Sequence, residues 1–329
     1  MHVCEMQFRK PWRHSTSRWV VDLKSMNARS EINLAGIYPP ISTPFTEQGE
    51  IAFDHLSTNL SRWNEWPLDG YVVGGSNGEF VSQSFDERVA VVKAVREEMS
   101  SNHLLIAGAG MHSTRETVDL AQAMATVGAD AVLIVTPSYY KSKMDLRALR
   151  GHYYTVADAS SVPVHLYNVP ANTGVDMPAG TILELAQHAN IIGIKDSSGD
   201  LVKMGAVVDA APQGFQVLAG SGSFFLPALA IGAVGLIAAL VNIAAGDLAR
   251  IQSLFKDEQL SEARILQQRL IETNRAVTSR FGVAGLKAAL DLLGLYGGPV
   301  RSPLQPLMDD DREELRNILE RADLLSVNG

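Results

Sequence analysis

Two neighbouring runs decide the fold: Pro163-Val164-His165-Leu166-Tyr167-Asn168-Val169-Pro170 and Ile191-Ile192-Gly193-Ile194-Lys195-Asp196-Ser197-Ser198. Each is short, rich in β-branched or apolar residues and bounded by proline, glycine or serine, which is the pattern of a strand. Apolar residues fall on both faces, as expected of a parallel strand that is buried on both faces. Between the two runs, Ala179–His188 carries helical periodicity. The pair therefore reads as one strand–helix–strand unit.

The same unit recurs in both directions. Similar runs occupy Gly36–Thr43, Gly70–Gly75, Leu104–Gly110, Ala131–Pro137, Phe215–Ser221 and Val234–Leu240, with successive starts 19 to 34 residues apart. Helical patterns lie between them, as in Thr114–Val127 and in Asp86–Met99, where Val89, Val92, Ala94 and Val95 are expected to line one face. Eight strands alternating with helices predict an α/β chain folded as a closed (β/α)8 TIM barrel. Beyond residue 245 helical periodicity continues without strands, in Leu260–Arg269 and Asp311–Arg321. The expected organisation is a basic leader over 1–35, the barrel over 36–245 and a C-terminal helical extension over 246–329.

Chemistry in such a barrel gathers where the strands end. Lys195 stands at such an end, and burying an ammonium is costly. It needs either a partner such as Asp196 or a role for its neutral amine, namely Schiff-base formation. Alternation along the strands puts Gly193, Lys195 and Ser197 on one face, and His165 with Tyr167 on one face. Tyr167 is either a core tyrosine or a proton shuttle beside that nitrogen. His165, two residues deeper, reads as a core-layer residue. The turn Gly74-Gly75-Ser76-Asn77-Gly78-Glu79 could present N–H groups, a hydroxyl and an amide to an anion, or serve as a plain turn. Gly220-Ser221-Gly222-Ser223 follows the seventh strand, where many barrels bind phosphate, and it too could be a simple turn.

Bulk properties narrow the class. With 46% apolar and 19% charged residues the chain suits a globular enzyme, and a net charge of −8 argues against nucleic acid as a partner. Cys4 is the only cysteine, so no internal disulfide forms, and no histidine cluster suggests a metal. Residues 1–35 run the other way, with six basic side chains against three acids. That leader reads as an organelle-targeting segment or an uncleaved arm. The uncharged stretch from Ala210 to Gly246 is long enough for a membrane span, but Pro227, Gly232 and Gly235 divide it into a helix and a strand.

Gly74–Glu79, Tyr167-Asn168-Val169-Pro170 and Gly193-Ile194-Lys195-Asp196-Ser197, in this order and spacing, resemble the dihydrodipicolinate synthase / N-acetylneuraminate lyase family of class I aldolases. The resemblance runs from about Gly36 to Leu307. It implies Lys195 as the Schiff-base lysine, Tyr167 as the proton shuttle, and Ser76 and Asn77 as holders of the carboxylate beside the keto carbon. It implies that Tyr139 reaches a neighbouring subunit's site, and hence a homotetramer built from two tight dimers. Ser197 would meet the distal end of a small 2-keto acid, and no cofactor is needed beyond the covalent imine on Lys195. The segments Pro170–Gly174, Leu270–Asn274, Arg280–Gly282 and Tyr296–Pro299 with Pro303–Leu307 are most similar to the branch that cleaves 4-hydroxy-2-oxoglutarate to pyruvate and glyoxylate in animal mitochondria, implying a mitochondrial matrix location. Dihydrodipicolinate synthases carry an arginine where this chain has Asn172, which lowers the rank of that branch. Other lyases of the family, a phosphosugar barrel enzyme and a non-catalytic barrel are the rival readings.

Overall fold

The computed structural model describes residues 32–325. Its strands are β1 (Ile37–Tyr38), β2 (Gly70–Val73), β3 (Leu104–Gly108), β4 (Ala131–Val135), β5 (Val164–Asn168), β6 (Ile191–Asp196), β7 (Gln216–Ala219) and β8 (Gly235–Ile237). From β2 to β8 each strand pairs in parallel with its sequence neighbour, and β1 pairs with β8. Between β1 and β2 the seam is closed by a bridge at Pro40 and Val72, with Val72 N–H donating to Pro39 O at 3.0 Å and Ile41 N–H to Val72 O at 3.0 Å. All eight expected strands are present. Each is shorter than its apolar run, because the last residues of the run turn out into the loops of the site.

The helices are α1 (Phe53–Trp63), α2 (Phe85–Glu98), α3 (Thr114–Thr126), α4 (Leu146–Ala159), the single turn α5 (Pro170–Thr173), α6 (Ala179–Leu185), α7 (Leu201–Ala210), α8 (Phe225–Ala230), α9 (Val241–Lys256), α10 (Leu260–Arg275), α11 (Gly282–Leu292) and α12 (Asp309–Arg321). Side-chain caps set several starts: Ser84 and Glu87 form a reciprocal capping box at α2, and Ser113 and Asp145 cap α3 and α4. The buried face of α2 is Arg88, Val91, Val92 and Val95 rather than the expected set. Val89 and Ala94 are only half-buried, because the helix is rotated to carry Arg88 inward.

Two boundaries shift. Leu34 is fully buried in the barrel interior, and the Gln216 side chain accepts from Leu34 N–H at 2.7 Å and donates to Ile32 O at 2.8 Å. Residues 32–35 therefore plug the amino end of the barrel rather than belonging to a leader, whose remainder lies outside the described residues. At the other boundary, α9 buries Leu248, Ile251 and Leu254 and packs on β1. It is the eighth barrel helix, so the helical extension begins after Lys256. The uncharged stretch forms α8, β8 and the start of α9, and no helix among the described residues is long and apolar enough to cross a membrane.

One core lies between the sheet and its helices, and a second fills the barrel, where Tyr38, Val72, Ile106, Leu133, Ile192 and Leu218 interlock below Tyr167. Strand alternation breaks once. Val164 pairs with Ile191 but His165 pairs with Gly193, leaving Ile192 as an extra residue that sits in the barrel core. Such a bulge re-aims the residues that follow it, and those end in Lys195.

Candidate active site

Tyr167 and Lys195 face each other across β5 and β6. Lys195 is 2% exposed, with Nζ lying 4.1 Å from the centroid of the Tyr167 ring, and it makes no ion pair among the described residues. The Tyr167 hydroxyl is 3.4 Å from Ser76 Oγ. Asp196 does not serve as the partner of Lys195. Being next along the strand it points the opposite way, where its carboxylate accepts from Ser198 N–H at 2.7 Å and Asn168 Nδ2 at 3.3 Å and lies 3.4 Å from Lys203 Nζ. Lys203 is also held by Asp176 at 2.6 Å. Buried positive charge on that side is thus neutralised by two carboxylates, whereas the Lys195 amine rests on an aromatic face. The structural ion-pair reading of Lys195 falls on this geometry.

Ser76 and Asn77 begin a short 3-10 turn, Ser76–Gly78, after β2. Its later N–H groups bond back within it, Gly78 to Gly75 O at 3.0 Å and Glu79 to Ser76 O at 3.1 Å. The N–H groups of Ser76 and Asn77, as the first of the turn, are those with no intrahelical acceptor. Both residues are half-buried at the barrel mouth. Thr43, at the end of the β1 run, donates from Oγ1 to Gly78 O at 2.9 Å and fixes the turn from below.

Glu79 does not face the site. It adopts left-handed backbone angles (φ 56°) that turn its side chain into the protein, where its carboxylate meets Lys287 Nζ at 2.6 Å and accepts from Arg301 N–H at 2.9 Å. Both members of the Glu79–Lys287 pair are 1% exposed. Lys287 also donates to Pro299 O at 2.7 Å, and its Nζ and the Arg301 guanidinium each lie 4.3 Å from the Phe45 ring centroid. Burial pushes the Lys287 pKa down, while the Glu79 carboxylate opposes that shift. The carboxylate-binding turn expected from sequence is therefore clamped to α11 by its own last residue.

Beneath Tyr167 and Lys195, His165 is fully buried, and burial together with the nearby Lys195 lowers its pKa to about 3. It is a neutral core residue, as expected. Gly193 lies opposite, and a Cβ there would strike Gln216 O and press on the His165 ring. Glycine in β6 is what lets an imidazole sit below the amine.

Ser197 stands beside the β7 loop. Its N–H donates to Asn168 O at 2.9 Å, and its Oγ approaches Gly220 O at 3.4 Å. Gly220 is required there because a Cβ would fall on Ser197 Oγ. The phosphate reading of Gly220–Ser223 loses its donors: Gly222 N–H goes to Asn274 Oδ1 at 3.1 Å and Ser223 N–H to Ser221 Oγ at 3.3 Å. Tyr139 lies apart from the buried cluster, 77% exposed in the loop after β4, with its ring edge-on to Tyr140 at 5.0 Å.

Sequence reasoning missed Arg88. It is 2% exposed, and its guanidinium donates to Gly108 O at 2.8 Å and Gly110 O at 3.3 Å. With Gly74, Phe80, Leu133 and Tyr167 it lines a small cavity on the β2–β4 side of the mouth. Desolvation lowers its pKa to about 10. A charged residue on an otherwise apolar helix face gives no local sign that it reaches a strand end.

Fold and site together define a pyruvate-dependent lyase built on a (β/α)8 barrel. The chain belongs to the dihydrodipicolinate synthetase family, whose model matches residues 33–322. It is 33% identical over 287 residues to a 4-hydroxy-tetrahydrodipicolinate synthase of Methanothrix thermoacetophila, covering 87% of this chain and 96% of that one. An uncharacterized DapA-like lyase of Halobacterium salinarum is 37% identical over 294 residues, covering 89% and 96%. Among solved structures, a dihydrodipicolinate synthase from Acinetobacter baumannii complexed with pyruvate superposes with a TM-score of 0.85 at 31% identity, covering 89% of this chain and all of that one.

Proposed function

We propose that the protein is a class I aldolase that cleaves 4-hydroxy-2-oxoglutarate to pyruvate and glyoxylate. The observation that carries the chemistry is the buried Lys195 amine, free of a counter-ion among the described residues and lying against Tyr167, whose hydroxyl approaches Ser76. Lys195 adds to the C2 ketone, and loss of water leaves a protonated imine. Tyr167, deprotonated, takes the proton of the C4 hydroxyl as the C3–C4 electron pair moves into the imine. Glyoxylate leaves, the enamine takes a proton at C3, and hydrolysis returns the amine and releases pyruvate. Ser76 and Asn77 hold the C1 carboxylate through these steps, and Ser197 meets the distal carboxylate, so positioning adds to covalent catalysis. The imine is the electron sink, and the reading calls for no metal or organic cofactor.

Substrate choice rests on Asn172. It occupies an exposed position in α5 where a guanidinium would be needed to grip an aldehyde substrate's carboxylate in two-pronged fashion. The synthases among the relatives favour a second reading, condensation of pyruvate in dihydrodipicolinate synthesis. A homotetramer in which Tyr139 completes a neighbour's site, and a matrix location directed by the basic leader, belong to the first reading; the named relatives are bacterial and archaeal.

Borohydride reduction in the presence of pyruvate tests the chemistry, with a stable mass gain on Lys195 expected. An unlabelled wild-type protein would sink it. Pyruvate release from 4-hydroxy-2-oxoglutarate, measured beside condensation of pyruvate with aspartate semialdehyde and cleavage of N-acetylneuraminate, tests the substrate. Faster turnover of either rival overturns the assignment.

A further inference from the structure

The loop after β7 is held by two side chains of α10, a helix that follows the barrel. Gln267 donates from Nε2 to Gly222 O at 2.7 Å and accepts from Leu226 N–H at 2.9 Å. Asn274 is 2% exposed and spends its whole amide on the loop. Its Oδ1 accepts from Gly222 N–H at 3.1 Å, and its Nδ2 donates to Ser221 Oγ at 3.0 Å and Ser223 Oγ at 2.7 Å. The backbone N–H of Gly222 can only donate, so the atom facing it must be the amide oxygen, and the orientation of Asn274 is fixed.

That orientation decides where a proton points. A serine hydroxyl has two lone pairs and one hydrogen. Ser221 Oγ accepts from both Asn274 Nδ2 and Ser223 N–H, so both lone pairs are committed and its hydrogen is left to donate. Ser221 is half-buried and follows Gly220, whose carbonyl accepts from Ser197, two residues beyond Lys195 in the chain.

We propose that Asn274 is a positioning residue: by donating to Ser221 and Ser223 it holds the Ser221 hydroxyl as a donor toward a carboxylate at the far end of a 2-keto acid bound to Lys195. This rests on the Schiff-base reading above and adds a specificity device supplied from outside the barrel. Replacing Asn274 by aspartate keeps the acceptor for Gly222 N–H but reverses the other face. Ser221 and Ser223 then donate to the new carboxylate, and Ser221, still accepting from Ser223 N–H, has only a lone pair left for the substrate.

The test compares two keto acids of equal length, 2-oxoglutarate and 2-oxopentanoate, which differ at the far end by carboxylate against methyl. Half-saturating concentrations for borohydride trapping on Lys195 are read by mass spectrometry. In the wild type a charge-assisted hydrogen bond gives 2-oxoglutarate an advantage of about tenfold or more. Asn274→Asp and, without touching α10, Ser221→Ala are each expected to bring that ratio below about threefold, and the double variant to be no lower than either. A loss of packing alone would shift both keto acids together and leave the ratio in place. The inference is overturned if the wild type shows no preference for the carboxylate, or if either variant keeps it. Failure of pyruvate to label the wild type is a different result: it removes the Schiff-base reading, and the inference with it.

Discussion

Removing Lys287 separates the two duties of the Glu79–Lys287 pair, anchoring α11 and shaping the Ser76–Asn77 turn. In Lys287→Met the Glu79 carboxylate stays 1% exposed with Arg301 N–H as its remaining donor. Breaking a fully buried pair by deleting one partner costs about 3–5 kcal/mol. For a chain of this size each kcal/mol moves the midpoint by about 2 °C, so the expected fall in Tm is about 6–10 °C. Glu79→Gln with Lys287→Met removes both charges and recovers part of that loss, because no carboxylate is left stranded. The turn carrying Ser76 ends at Glu79, so Lys287→Met is also expected to lower kcat, with pyruvate trapping on Lys195 retained. Calorimetry of the two variants beside the wild type, with the trapping assay as a check on Lys195, decides the matter. A fall smaller than about 2 °C for Lys287→Met, or a double variant less stable than the single, refutes the reasoning.

Three further outcomes are expected. Tyr167→Phe leaves the barrel folded and lowers turnover by about 100-fold or more, measured as pyruvate release, since the proposed proton acceptor is lost. Gly220→Ala drives a Cβ onto Ser197 Oγ and costs about 1–3 kcal/mol in urea unfolding. His165 and His152 are buried with pKa values lowered to about 3 and about 4, each by desolvation first, so the unfolded chain binds more protons below its ordinary histidine pKa. Their stabilising effect is complete above about pH 6.5 and is lost as pH falls toward 4, at about 1.4 kcal/mol per pH unit per histidine. His165→Leu should flatten the slope of unfolding free energy between pH 6 and 4 by about that amount, and an unchanged slope would place the proton uptake elsewhere.

The barrel was legible because its signal is local and repeated: eight apolar runs at unit spacing, each separated by a helical pattern. That Lys195 and Tyr167 lie side by side toward the ends of adjacent strands was legible for the same reason, since strand ends can be read from where the runs stop. What escaped depends on partners far along the chain. Glu79 read as part of an anion-binding turn, but Lys287 and Arg301 lie more than two hundred residues away and draw it inward. Asp196 read as a partner for Lys195 because it is adjacent, whereas the extended backbone turns it toward Lys203. The extra residue at Ile192 has no signature in an already apolar run, and Arg88 on α2 finds its carbonyl acceptors only after β3 is in place.

The helices beyond the barrel hold two of its loops, through Lys287 on the Ser76 turn and Asn274 on the Ser221 loop. This gives the chain an order of assembly during synthesis. Lys195 leaves the ribosome about ninety residues ahead of Lys287, roughly 5–20 s at ordinary elongation rates. In that interval the Lys195 amine, the proposed nucleophile, exists without the contacts that hold the Ser76 turn and the Ser221 loop. On the proposed reading competence therefore arrives late, when α10 and α11 dock, and a product truncated before them would carry the nucleophile but not its selectivity.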